Sequence, residues 1–215
     1  MAGTFVVEQA SSEITATYKA SLFHGKSMAD LTGGMGVDAF YFAEKFERVH
    51  YVEPSEALAA ITEHNFRILG RQNISIHSCV AETFLEKNGE SFDLIYLDPS
   101  RRQGNRKVFR LEDCTPNPIE IVPLCLAISQ RVLIKLSPMV DLSLIIRQFA
   151  PSEIWVVAIK NEVKEVLCLI EKAKKALTFH AVDFVESGRK YDFFVLGRRG
   201  GSFDFHIYFS TFVPL

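Results

Sequence analysis

At 215 residues the chain is long enough to bury a full hydrophobic core, and one α/β domain with an appendage is the simplest organisation. Its 24 basic and 26 acidic side chains leave a net charge of −2, which excludes a global basic field as the basis of nucleic-acid binding but leaves local clusters open. Cys79, Cys114, Cys125 and Cys168 form no CxxC pair and the six histidines show no metal spacing, so no metal site or disulfide framework is expected. The N-terminus, MAGTFVVEQASSE, has no basic n-region or apolar h-region. No apolar run reaches the roughly 18 residues a membrane span needs, and the expectation is a cytoplasmic protein with no membrane partner.

Apolar runs and their punctuation predict alternating strands and helices. Strands are expected at Met28–Leu31, Arg48–Val52, Ile74–His77, Phe92–Leu97 and Arg131–Lys135. Helices fit between them at Val37–Phe46, Ser55–Leu69, Ala81–Lys87 and Pro118–Ser129, with Ser55 as an N-cap and Gly70 as a stop. After a short helix at Leu142–Phe149, the runs Glu153–Lys160 and Glu165–Glu171 read as a hairpin around Lys160, Asn161 and Glu162. Two alternating runs follow, Leu177–Val185 and Tyr191–Leu196. The last segment, Phe203–Phe212, reads as one more strand, its Phe203, Phe205, Tyr208, Phe209 and Phe212 also able to stack on bases.

The most informative segment is Met28–Phe40, MADLTGGMGVDAF, in which a strand enters a glycine turn and then a helix. Gly33, Gly34 and Gly36 permit positive φ and close approach of a ligand, and the helix start presents unpaired N–H groups. The next strand ends at Glu53, about 20 residues beyond the glycines, where an acid can hold both hydroxyls of a ribose. The glycine spacing fits the dinucleotide fingerprint GxGxxG poorly. Asp30, just before the glycines, would repel a pyrophosphate but suits a ligand carrying an ammonium group, and S-adenosylmethionine carries both an ammonium and a ribose.

DLTGGMGVDAF followed by VHYVEP resembles the first two motifs of class I S-adenosylmethionine-dependent methyltransferases, and LIYLDPSRR at Leu94–Arg102 resembles their fourth. Together with KVFRLEDCTPN and VLIKLSPM, these are similar to the methyltransferases that carry a THUMP-like domain, over roughly Glu8–Glu171. The resemblance implies a Rossmann-like fold: a mostly parallel seven-stranded sheet with an antiparallel edge hairpin and helices on both faces. It places the methyltransferase domain at residues 1–172 and a small β-rich extension at 173–215. That group usually has further sequence at both ends, so no THUMP-like domain is assigned.

The resemblance also implies site residues. The cofactor set is Asp30, Thr32, Gly33, Gly34, Gly36, Asp38, Glu53, Pro54, Ala81 and Glu82. In the family an acid often precedes the alanine to meet adenine; here Val80 stands in that place, and Glu82 is either its substitute or an ordinary first-turn glutamate. Ser11, Ser12 and Glu13 resemble a segment that covers the cofactor in the family, and fit a plain helix start equally well. Asp98 and Pro99 match the start of the motif that holds a target nitrogen in amino-group methyltransferases, whereas Ser100 and Arg101 depart from it. Asp98 either positions the acceptor or takes its proton, unless Asp98-Pro99 only closes a strand. Arg101, Arg102, Arg106, Lys107 and Arg110 form a basic cluster that could grip RNA phosphates or simply be solvated. Ser100, Lys135 and Ser137 complete the candidate substrate set, and the expected activity is methylation of RNA, either tRNA or rRNA. Methylation of a small molecule or protein, or a non-catalytic RNA-binding or cofactor-sensing role, stands as the alternative.

Overall fold

The computed structural model describes residues 11–101, 110–185, 190–196 and 207–211. Two compact units emerge, residues 1–98 with 120–130 and residues 99–119 with 131–215.

The first unit opens with α1 (Glu13–Ser21), capped by Ser12, whose hydroxyl accepts from Thr15 N at 3.3 Å. Then follow β1 (Gly25–Asp30), α2 (Val37–Phe42), β2 (Phe46–Val52), α3 (Glu56–Ile68), β3 (Ile74–His77), α4 (Ala81–Lys87) and β4 (Leu94–Leu97). The strands lie in the order β3-β2-β1-β4 and every pairing among them is parallel. All four residues of β4 are buried, so both faces of that strand are covered, as a continuous apolar run in a parallel sheet requires. Each of Leu94, Ile95 and Leu97, with no exposed surface, contributes roughly 1.5–3 kcal/mol by leaving water.

Local chemistry sets the ends of these elements. Ser55 caps α3 through Leu58 N at 3.3 Å. At the other end Gly70 takes φ +74°, with Arg71 N donating to Phe66 O at 2.8 Å and Gly70 N to Arg67 O at 3.2 Å, the paired bonds of a Schellman stop. The helix expected to reach Phe46 stops at Phe42. Phe46, 3% exposed, instead opens β2 opposite Gly25, because its ring belongs to the core under the sheet.

The second unit begins with a short antiparallel ribbon, β5 (Ser100–Arg101) with β6 (Cys114–Thr115). After α5 (Pro118–Ile128), most of which belongs to the first unit, come β7 (Arg131–Leu136), α6 (Leu142–Phe149), β8 (Glu153–Ile159), β9 (Glu162–Glu171), β10 (Thr178–Phe184), β11 (Lys190–Leu196) and β12 (Ile207–Thr211). Their order is β7-β9-β8-β10-β11-β12. β9 runs antiparallel to both β7 and β8, while β10 pairs parallel with β8. The hairpin turn is two residues, Lys160 and Asn161, both at positive φ. Asp183 on β10 accepts from Asn161 N at 3.2 Å and fixes that turn.

Two corrections follow. Among the described residues the main strands number ten where seven were expected, and the hairpin β8–β9 is flanked on both sides instead of forming an edge. An exposed β8 would leave a row of backbone donors and acceptors open. β10 covers it, and β11 and β12 extend the ladder. No helix among the described residues is long and apolar enough to cross a membrane.

Candidate active site

The carboxyl ends of β1, β2 and β4 bring together most of the residues that the glycine motif singled out. Asp30 ends β1 and folds back on its own turn: its Oδ1 accepts from Thr32 N at 3.0 Å. The Thr32 hydroxyl then receives the backbone N–H of Asp98 at 2.6 Å. One threonine thus ties the end of β1 to the end of β4 and sets where Asp98 stands.

Gly34 is held from both of its polar groups. Its N–H donates to Glu53 Oε2 at 3.0 Å, and its carbonyl accepts from the Tyr51 hydroxyl and from Thr62 Oγ1 at 3.4 Å. Glu53 Oε1 accepts from Ser55 N at 2.9 Å, so one carboxylate joins the glycine turn to the start of α3. Each carboxylate oxygen retains lone-pair capacity for a further donor.

The three glycines serve different ends. A Cβ on Gly33 would lie 2.2 Å from the Tyr51 ring, and one on Gly36, at φ +75°, would lie 2.4 Å from Thr62 Cγ2 and 2.6 Å from Phe66 Cζ. Packing inside the protein explains both. At Gly34, φ is +53° and the nearest atom to an added Cβ is 3.7 Å away, so here the open side of the backbone faces space that a ligand can use.

Asp30 is 1% exposed, and burial, helped by the negative charges of Asp38 and Asp98, pushes its carboxyl up to about 8 against the opposing Thr32 N–H. At neutral pH burial therefore favours its protonated form. A cation brought to this turn would make the ionised form favourable.

Asp38, expected among the cofactor ligands, is engaged inside the protein. It stands 3.2 Å from Lys19 Nζ and accepts from the Tyr96 hydroxyl at 2.7 Å and from Ser11 at 2.9 Å. Lys19 and Tyr96 were not foreseen. The signal for Lys19 was available, since the buried positions Thr15, Ala16, Lys19 and Ala20 share one stripe of α1.

Pro54 is an exposed bend between Glu53 and the Ser55 cap. Ala81 is buried at the start of α4, Glu82 is exposed in its first turn, and Val80 precedes them without a side-chain cap. Glu53 N donates to His77 O at 3.1 Å, which draws the end of β3 toward the same edge.

Asp98 is half-buried and Pro99 buried. In the second unit, Ser100 is exposed, and Ser100 and Arg101 form the ribbon β5. Lys135 and Ser137 are half-buried at the carboxyl end of β7, where Ser137 closes a turn by accepting from Met139 N at 3.3 Å. Arg102, Arg106, Lys107, Phe203, Phe205 and Phe212 lie outside the described residues. Among those described, no group of three or more His, Cys, Asp or Glu could hold a metal ion.

No protein-family model matches the sequence, and no curated protein matches it either. Solved structures do. A candidate methyltransferase of Porphyromonas gingivalis W83 superposes with a TM-score of 0.75 at 26% identity, over 97% of this chain. The match spans 49% of that protein, so this chain covers about half its length. M. capricolum TrmK, solved with S-adenosylhomocysteine, gives 0.58 at 12% identity over 76% of this chain and 70% of that one. An rRNA methylase of Streptococcus thermophilus gives 0.55 at 14% over 74% and 94%. The chain therefore has the α/β fold of methyltransferases, a mixed sheet with its helices.

Proposed function

We propose that the protein is an S-adenosylmethionine-dependent methyltransferase that acts on RNA. The observation that carries this reading is the Gly34 turn, clamped by Glu53 and open on the side where a ligand would approach, with buried Asp30 behind it. The residues fit the cofactor: Glu53 has acceptor capacity for a ribose, and Asp30 is an acid whose ionisation a cationic group favours. Ala81, Glu82 and Pro54 border the adenosine end in this reading.

The cofactor supplies an activated methyl group, so the chain's own residues mainly align the acceptor. Asp98, set by Thr32, orients the acceptor or takes its proton, with Pro99 fixing the chain beyond it. On the RNA side we assign phosphate contacts to Arg101, Arg102 and Lys107 and polar contacts to Ser100, Lys135 and Ser137. The basic run in the sequence and the rRNA methylase among the similar structures support RNA over a small molecule. The reading carries a cytoplasmic setting with it.

Incubation with labelled S-adenosylmethionine and fractionated RNA, followed by nucleoside mass spectrometry, tests the reading. One methylated nucleoside in a single RNA class is expected. Label appearing only in protein or metabolite fractions overturns the RNA assignment, and no label in any fraction overturns the activity.

A further inference from the structure

The cofactor reading leaves one buried charged cluster unused. Lys19, with no exposed surface, is the one lysine or arginine in the buried class among the described residues. Its ammonium stands 3.2 Å from Asp38 Oδ1 and donates to Ser11 Oγ at 3.0 Å. Ser11 in turn donates to Asp38 Oδ2 at 2.9 Å, and the Tyr96 hydroxyl donates to the same oxygen at 2.7 Å. Burial of a lysine is costly and is tolerated where its charge is matched. α1 has exposed positions that would have spared this cost, so the placement calls for a reason.

The reason lies in what surrounds the cofactor turn. Asp30 ends β1, Asp38 sits in the first turn of α2, and Asp98 follows β4; both Asp38 and Asp98 act on Asp30 electrostatically. Tyr51 on β2 and Glu53 just beyond it face the same turn, Tyr96 is the register partner of Asp30 on β4, and Lys19 arrives from α1. With Glu53, four acids thus stand about a turn that takes a cationic ligand in this reading, and Asp38 and Asp98 would compete with Asp30 for it. Lys19 satisfies Asp38 from α1.

We propose that Lys19 is a positioning residue for the cofactor: by matching Asp38 it leaves Asp30 as the acid that answers the cofactor's positive charge. The proposal rests on the cofactor reading above. Asp30 changes from carboxylic acid to carboxylate, the ligand's ammonium keeps its own protons, and one proton leaves per ligand bound.

The test is calorimetry with S-adenosylhomocysteine between pH 6 and pH 8.5, in buffers of differing ionisation enthalpy, on the wild type, Lys19→Met and Lys19→Arg. For the wild type, close to one proton released at pH 7 and an affinity rising on the order of fiftyfold from pH 6 to pH 8 are expected. Lys19→Met removes a positive charge beside Asp38, so Asp30 retains its proton to higher pH. Affinity then falls on the order of tenfold at pH 7 and recovers toward pH 8.5, while Lys19→Arg keeps the wild-type midpoint. An equal loss at every pH, or an unchanged curve, overturns the proposal and makes Lys19 merely structural. If Lys19→Met does not fold, Tyr96→Phe, which removes one donor to Asp38, must shift the midpoint in the same direction. A wild type that binds S-adenosylhomocysteine without pH dependence sinks the inference alone; one that binds none sinks the cofactor reading as well.

Discussion

Glu53 makes the cofactor reading quantitative. It accepts from Gly34 N at 3.0 Å and from Ser55 N at 2.9 Å, and hydrogen bonds to a charged acceptor contribute roughly 1.5–3 kcal/mol each where water is excluded. Gly34 is half-buried, whereas Ser55 is exposed and water replaces its lost partner. Glu53→Ala is therefore expected to cost about 1–3 kcal/mol of stability, nearly all of it at Gly34. The melting temperature would fall by about 2–4 °C for each kcal/mol. Loss of two ribose hydrogen bonds would cost a further ~1–3 kcal/mol of binding, on the order of 5- to 150-fold in Kd. Glu53→Gln separates the two effects. Its amide oxygen can still receive Gly34 N–H, so most of the stability stays, but an amide cannot offer two acceptor oxygens and affinity falls nearly as far as in the alanine variant. Calorimetry with S-adenosylhomocysteine and thermal melts of all three proteins read both quantities. A Gln variant that binds like the wild type, or one that loses stability as the Ala variant does, would refute this reasoning.

Other outcomes follow from the same geometry. Asp30 is raised from 3.8 to about 8, so its contribution to stability is fully present below about 3.8 and is lost as pH rises through about 8. Ligand-free protein should accordingly lose stability from pH 6 toward pH 8 with a slope approaching ~1.4 kcal/mol per unit that levels off above about 8, and Asp30→Asn should flatten this curve in urea titrations. Gly36→Ala places a Cβ 2.4 Å from Thr62 at φ +75° and should destabilise by about 1–3 kcal/mol. Ala150 ends α6 at φ +45°, and Ala150→Gly should stabilise by about 1 kcal/mol; equal melting temperatures would contradict either expectation. Asp98→Ala should suppress transfer while leaving S-adenosylhomocysteine affinity nearly intact, and normal turnover would confine Asp98 to closing the strand.

The first unit was legible because its strands are short apolar runs, each closed by a polar or glycine signal. Asp30, Gly34 and Glu53 stand where that punctuation puts them. Gly33 and Gly36 were read as making way for a ligand, but Tyr51, Thr62 and Phe66 already occupy the space beside them. Such long-range neighbours leave no mark on local sequence. Asp38 shows the same limit: an acid in the first turn of a helix looks available to a ligand, and only the fold brings Lys19 and Tyr96 to it. The hairpin was placed correctly but its second strand starts at Glu162, three residues early, since Lys160 and Asn161 complete the reversal alone. The joining of β10 to β8 depends on an open sheet edge, which no residue pattern announces.

The most direct test of the central claim is a crystal structure with S-adenosylhomocysteine. The account predicts the ribose hydroxyls within hydrogen-bonding distance of Glu53, the backbone of Gly34 against the ligand, and its amino group on the Asp30 side of the turn. Ligand density away from this turn, or none at saturating concentration, would contradict it.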